Sequence, residues 1–319
     1  MLEEILNWIL YSIIGLNPTI KWVETLNFFI YDSIKIILLL FVMISIIGFL
    51  RTYLPQNKIK RWISGKKYGT SNLIASFFGA ITPFCSCSSI PIFLGFLEAG
   101  IPLGVTFSFL ITSPLVNEYL VVLMFGFFGW KITLAYVISG ILIGTISGLI
   151  LGKMNLEKYL VKDLVSTNNT KKEIRFKGLK KRLDFGLNES LSITRKLWLW
   201  ILVGVGVGAV IHNYVPSEVI QSIIIKGGIF AVPIAVILGV PLYGSCAAIV
   251  PIALVLFEKG VPIGTALAFM MAISGLSFPE AVILRRAMKL KLIMIFFLVV
   301  TMAIILTGYI YNLLQILLI

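Results

Sequence analysis

The chain has 319 residues, 59% of them hydrophobic, with a mean hydropathy of +1.01, and its 13% of charged residues leave a net charge of +13. Apolar runs of twenty or more residues recur along it, which excludes a soluble globular domain and points to an all-α polytopic membrane protein. The basic excess is not spread as a nucleic-acid surface would be. Residues 51–67 hold six Lys/Arg, residues 153–196 twelve and residues 285–291 four, together 22 of the 27. Such clustering between apolar stretches is the positive-inside pattern. It predicts a multi-pass plasma-membrane protein with these three segments cytoplasmic, anionic headgroups of the bilayer beside them and no nucleic-acid partner.

Residues 1–20 read as a short amphipathic helix ending at Asn17-Pro18, with Glu3 and Glu4 where a cleaved signal would carry positive charge. A first membrane repeat is expected over 21–152. It holds a span at 33–50, the basic loop 51–67 and an apolar stretch 71–97 interrupted at Pro83–Pro91. A Gly/Pro turn at 98–102 follows, then two spans in 103–152 divided near Trp130-Lys131. Gly140, Gly144 and Gly148 recur every fourth residue, a spacing that lets helices approach closely. Residues 153–195 form a basic cytoplasmic linker. A second repeat is expected over 196–319, with a span at 196–214, apolar stretches 228–257 and 263–284, and a last span to about 317.

Shifting the chain by 160 residues superimposes its halves. Pro91, Glu98, Gly100, Pro102, Gly104 and Phe109 fall on Pro251, Glu258, Gly260, Pro262, Gly264 and Phe269. Upstream, one residue of slip brings Lys35 to Lys196, Tyr53 to Tyr214 and Pro55 to Pro216. Loop 51–67 and linker 153–196, both cytoplasmic, need an even number of crossings between them, yet three apolar segments intervene. The stretch 71–97 is therefore expected to re-enter rather than cross. Each repeat would hold about three transmembrane helices plus one broken or re-entrant element, and the repeats would be inverted, as in many secondary transporters.

The interruptions hold the candidate site. Pro83-Phe-Cys85-Ser86-Cys87-Ser88-Ser89-Ile-Pro91 and its copy around Pro241, Ser245, Cys246 and Pro251 put small polar groups inside apolar sequence. Backbone freed by proline at membrane depth survives only inside protein or along a cavity. Cys85 and Cys87, two apart, face one side of an extended segment, and with Cys246 would suit a soft, thiophilic species. The alternative is that the cysteines are small buried packing residues and the serines satisfy freed backbone groups. No further Cys or His completes a structural metal site, so neither metal nor cofactor is expected. Thr112-Ser-Pro114-Leu-Val-Asn117-Glu118 and Ser274-Gly-Leu-Ser-Phe-Pro279-Glu280 form a second pair of breaks. Asn117 is a substrate-binding candidate. Glu118 at membrane depth would be a coupling carboxylate, while Glu280, five residues before Arg285, could instead be interfacial and paired. Glu98 and Glu258 sit in turns, as interface anchors or gates.

These motifs, Pro83–Pro91, Glu98-Ala-Gly-Ile-Pro102 and Thr112–Glu118 together, resemble the ArsP/YraQ-type predicted permeases, and the resemblance covers essentially the whole chain. It implies a membrane permease, with trivalent organoarsenicals such as methylarsenite exported by characterised members. It implies no enzyme activity, and a homo-oligomer is compatible with it. A membrane thiol oxidoreductase using Cys85 and Cys87 is an alternative that the one-residue spacing disfavours. A membrane subunit of a partner-dependent transport complex is another.

Overall fold

The computed structural model describes residues 2–13, 15, 17, 20–51, 69–82, 86–98, 100–161, 178–214, 222–224, 226–242, 246–285 and 287–318. Among them the protein is helical throughout, apart from one isolated bridge between Leu160 and Met288. The helices are α1 Leu2–Asn7 (continued by a π-helix, Trp8–Ile13), α2 Lys21–Arg51, α3 Thr70–Ile81, α4 Ser86–Glu98, α5 Leu103–Leu115 and α6 Glu118–Lys153. They continue as α7 Leu179–Tyr214, α8 Ala231–Gly239, α9 Cys246–Glu258, α10 Ile263–Gly275, α11 Phe278–Leu284 and α12 Leu290–Leu318. Among the described residues, three stretches are long and apolar enough to cross a membrane: Glu118–Lys153, Ile263–Leu284 and Leu290–Leu313.

Several boundaries differ from expectation. The first span is longer than 33–50, since α2 begins at Lys21. The linker 153–195 is shorter, because α7 starts at Leu179 and carries the polar residues 179–195 as the first half of a 36-residue helix. Pro91, Pro114 and Pro251 do not break their helices, as α4, α5 and α9 run through them. A proline deletes one ladder bond, and a helix held on both sides tolerates that loss. At Pro114 the ladder resumes at once, with Val116 N–H donating to Thr112 O at 2.8 Å. The breaks come elsewhere: after Thr82, at Val116–Asn117, at Pro241 and at Leu276–Ser277.

The contacts fix helix directions. Asn72 of α3 meets Ser108 of α5, while Gly79 meets Thr112 and Ser113, so α3 and α5 run parallel. Gly104 lies against Gly148 and Gly152, Thr112 against Gly144 and Val116 against Gly140, so α5 runs antiparallel to the second leg of α6. The legs of α6 meet at Gly129, whose φ of 78° and ψ of 173° suit glycine alone. From Val116 to Phe128 the chain rises about 18 Å, and from Trp130 to Gly140 about 15 Å. Residues 103–128 are therefore one rod with a break in its middle, and 130–153 is the return rod. Expectation had drawn this division at Trp130-Lys131, one residue later.

The same arrangement recurs after 160 residues. α9 and α10 match α4 and α5 in length and register, at 13 residues each. Gly100 N–H donates to Leu97 O and Ile101 N–H to Phe96 O, at 2.9 and 3.0 Å. Gly260 N–H donates to Phe257 O and Val261 N–H to Leu256 O, at 2.9 and 3.1 Å. Gly100 and Gly260 both hold positive φ, at 73° and 90°. A Cβ on Gly79 would meet Phe109 O at 3.0 Å, and one on Gly239 would meet Phe269 O at 3.2 Å. Equivalent long helices run antiparallel. Gly186 of α7 abuts Ser45 and Phe49 of α2, Ser45 Oγ donates to Ser190 Oγ at 2.8 Å, and Gly206 faces the Phe29 ring at 3.4 Å. With the 161-residue shift of this region, the pair Ser45–Ser190 becomes Gly206–Phe29. In the same way Tyr311 OH donates to Ser139 Oγ at 2.6 Å at one end of α6 and α12, and the Leu160–Met288 bridge joins the other end.

The halves are held by different chemistry. In the first, Asn72 Nδ2 donates to Ser108 Oγ at 2.9 Å and Thr145 Oγ1 to Ser76 Oγ at 3.0 Å, all four residues being buried. Their counterparts are Val232, Ala268, Ile305 and Val236. Over Gly308 sit the Val232 and Ala268 side chains, where the first half puts Ser108 over Gly148. Polar links join α10 and α12 in the second half, from Asn312 Nδ2 to Thr265 Oγ1 at 3.2 Å and from Ile263 N–H to Gln315 Oε1 at 3.4 Å.

Candidate functional site

Two helix pairs carry the thiol-bearing breaks. α3 closes at Thr82, whose N–H and Oγ1 both donate to Phe78 O, at 3.1 and 2.9 Å. α4 opens at Ser86 and α9 at its equivalent, Cys246. Pro83, Cys85 and Ser245 lie outside the described residues. Ser86, Cys87 and Ser88 are backbone of the first turn of α4, and Cys246 of the first turn of α9. Ser89 is fully buried, on the inward face with Ile90 and Phe93, and Ile249, Val250 and Ala253 are the matching face of α9. Phe93 leads on to Phe107 at 5.5 Å, and Phe107 stacks on Phe296 of the other half at 5.4 Å. α3, α4 and α5 each have 12 or 13 residues, roughly 18–20 Å of helix, about two thirds of a bilayer core. As α3 and α5 run parallel and only residues 99–102 separate α4 from α5, the 83–85 break lies at the far end of α3 from that turn.

The second pair of breaks is complete in the structure. Asn117 (φ −85°, ψ 137°) is the N-cap of α6, its side-chain oxygen accepting from Tyr119 N–H at 2.9 Å. Ser277 (φ −68°, ψ 146°) holds the same position before α11. Val121 N–H donates to Asn117 O at 2.9 Å and Ala281 N–H to Ser277 O at 3.2 Å. Asn117 thus has a structural duty, satisfying a free donor at a helix start. Pro279 lies in the first turn of α11, where a proline starts a helix rather than breaking it.

The carboxylates reverse their expected order. Glu118 is exposed, on a face with Tyr119, Val122 and Phe125. Glu280, expected at the interface beside Arg285, is 2% exposed, whereas Arg285 itself is exposed. The reason is the helix phase. Glu280 follows the break by three residues and sits on the side of α11 that packs against α7 and α4. Glu258 ends α9 exposed, and Glu98 ends α4. Sequence reading passed over the Asn72–Ser108 and Ser76–Thr145 pairs. Their signal was the loss of every one of these polar groups in the shifted half. A shallow groove of about 330 Å³ on α7, lined by Asn188, Leu191, Ser192 and Arg195, involves none of the candidate residues. Among the described residues no cluster of His, Cys, Asp and Glu could hold a metal ion.

The described helices carry a largely apolar exterior, and the sequence has known relatives. Residues 21–313 match the ArsP_1 family, described as predicted permeases. The chain belongs to that family. This ArsP_1 member is accordingly a membrane protein of permease type. A Streptococcus mutans protein named as a two-component membrane permease complex subunit is 25% identical over 198 residues, covering 61% of this chain and 65% of that protein. A UPF0718 protein of Methanocaldococcus jannaschii is 22% identical over 316 residues, 81% of this chain and 86% of that one. The UPF0718 protein YcgR of Bacillus subtilis is 22% identical over 197 residues, 61% and 66% respectively. The chain thus spans just under two thirds of the Streptococcus and Bacillus proteins it resembles. No solved structure matches.

Proposed function

We propose that this ArsP_1 member is a secondary transporter built from two inverted repeats, 21–152 and 196–319, and that it exports a soft, thiophilic metalloid such as a trivalent organoarsenical. The observation that carries the reading is the recurrence, 160 residues apart, of a half-length hairpin with thiols at its break followed by a rod broken at mid-length. Antiparallel packing of equivalent helices supports inversion, since repeats related along the membrane normal would run parallel. The 71–97 element then enters from the side of loop 51–67, and 228–257 from the opposite side. The bridge between Leu160 and Met288 brings the basic segments 153–196 and 285–291 to one face, which supports a common cytoplasmic side in the plasma membrane.

In this reading Cys85, Cys87 and Cys246 hold the substrate, Ser86, Ser88, Ser89 and Ser245 line its path, and the two breaks bring these residues near the midplane. Glu280, a buried carboxylate in an apolar rod, is the coupling group. Glu118 and Glu258, both exposed, act in gating together with Glu98. The test is uptake of methylarsenite into everted vesicles, with and without a proton gradient, for the wild type and for Cys85→Ser with Cys87→Ser. Uptake lost with the cysteine pair at equal expression supports thiol recognition. Absent wild-type uptake removes the arsenical and leaves the permease without a substrate. A second reading, favoured by the name of the Streptococcus mutans relative, is that the chain is one subunit of a two-component complex. A stoichiometric partner on mild purification would support it.

A further inference from the structure

The basic segments meet at one well-defined point. The 3-10 turn Leu156–Tyr159 follows α6, and its end is tied to the start of α12 by two backbone hydrogen bonds. Lys289 N–H donates to Tyr159 O at 2.9 Å and Val161 N–H to Ala287 O at 3.1 Å, and together they make the Leu160–Met288 bridge. Leu156 and Leu160 are buried beneath. On this platform Lys158 Nζ lies 5.2 Å from the Tyr159 ring centre and Lys291 Nζ lies 5.3 Å from it. Two ammonium groups from separate segments therefore converge on one ring, within about 10 Å of each other by those two distances. Lys153, Lys289 and Arg285 are exposed nearby in sequence, and among the described residues of 150–161 and 285–291 the one carboxylate is Glu157. Like charges held together on a tied backbone are costly unless an anion joins them.

The surroundings choose the anion. Beside the lysines in sequence, Ile150 of α6, its C-cap Met154, and Leu290 and Met294 of α12 are exposed, Met294 by 65%. A cationic pair above an exposed apolar stripe fits a molecule with a phosphate at one end and hydrocarbon at the other. The opposite end of the protein has no copy of it. The equivalents of Lys289, Lys291 and Tyr159 are Gly129, Lys131 and Ile319, a single cation without the aromatic plate.

We propose that Lys158, Lys291 and Tyr159 bind the phosphate of an anionic phospholipid headgroup in the leaflet that carries the basic segments. The proposal does not depend on the transported substrate. The experiment uses the full chain in neutral detergent and follows thermal unfolding as phosphatidylglycerol or phosphatidylcholine is titrated in. Phosphatidylglycerol should raise the midpoint and phosphatidylcholine should not. Lys158→Gln with Lys291→Gln should weaken the effect roughly thirty-fold, at about a fivefold loss per lysine. The control pair Lys180→Gln with Lys181→Gln, on the exposed start of α7, should retain it. Equal loss in both pairs would reduce the site to general charge and overturn the assignment. A full response in the Lys158/Lys291 variant would also overturn it. Inorganic phosphate reproducing the shift would make the ligand a soluble anion instead of a lipid. A wild type indifferent to phosphatidylglycerol would overturn the lipid site and leave the cluster to an acidic protein surface.

Discussion

Leu115 packs against Gly275, its own counterpart 160 residues later: a Cβ built on Gly275 would come within 2.8 Å of Leu115 Cδ2. This contact is one place where the two halves of the chain meet. Both lie one step before a mid-rod break, so the breaks adjoin at the centre of the protein. Gly275→Val should cost about 1–3 kcal/mol through overpacking. Leu115→Ala should recover part of that loss in the double variant, read as the thermal midpoint in one detergent. Additive losses would mean that the contact does not join the halves.

The glycines of α6 should be far less tolerant than their helical setting suggests. A Cβ on Gly148 would meet Gly104 O at 2.6 Å, and backbone cannot step aside. One on Gly144 would collide with Thr112 Oγ1 and approach Ser108 O at 3.0 Å. Gly126 has nothing within 4 Å. Gly144→Val and Gly148→Val should therefore lose most folded protein from the membrane, while Gly126→Ala leaves the yield unchanged. Fluorescence size-exclusion profiles would read the difference.

Burial separates the two intramembrane carboxylate candidates. Glu280→Gln should abolish the response of vesicle uptake to a proton gradient while leaving exchange down a substrate gradient intact. Glu118→Gln, altering an exposed group, should change uptake less than twofold, well under one kcal/mol. Gradient-driven uptake that survives Glu280→Gln would transfer the coupling role to another group.

Tyr159 is the residue whose titration should be visible from outside. Hydrogen bonding from Lys291 is the main cause holding its phenol below the ordinary tyrosine value of 10, with the charges of Lys158 and Lys291 adding to it. The phenolate is the charged form, so nearby cations lower the pKa. In an alkaline difference spectrum its ionisation should fall below the ordinary tyrosine value. Tyr159→Phe should remove that step, and Lys291→Gln should move it to higher pH.

Much of this architecture was legible because proline, glycine and glutamate punctuate the chain at matching offsets. The turns at Gly100 and Gly260 need positive φ, so their glycines mark the register as clearly as any contact. The positions of the breaks were less legible. Pro91, Pro114 and Pro251 looked like interruptions, but the helices pass through them and break where no proline sits, at Val116 and Leu276. Helix phase also escaped the sequence. The spacing of Glu280 from Arg285 suggested an ion pair at the interface, whereas three residues beyond the break turn Glu280 inward. The hydrophilic start of α7 gave no periodic apolar stripe strong enough to extend a helix back to Leu179. It is held by packing of Gly186 and Ser190 on Ser45, a partner 145 residues distant.

The unequal cross-links of the two halves have a mechanical consequence. In lipid there is no hydrophobic force between helices, so they are joined by shape and by hydrogen bonds. α3, α5 and α6 are riveted by Asn72–Ser108 and Ser76–Thr145, whereas at the equivalent positions α8, α10 and α12 meet through Val232, Ala268 and Gly308, and the polar links between α10 and α12, Asn312–Thr265 and Ile263–Gln315, lie at the start of α10. Sliding α10 along α12 breaks those end links and costs dispersion contacts, but strands no polar pair at the equivalent positions. Sliding α5 along α3 strands polar groups in hydrocarbon. At these positions the first half is pinned by polar pairs, whereas the second is joined by shape alone.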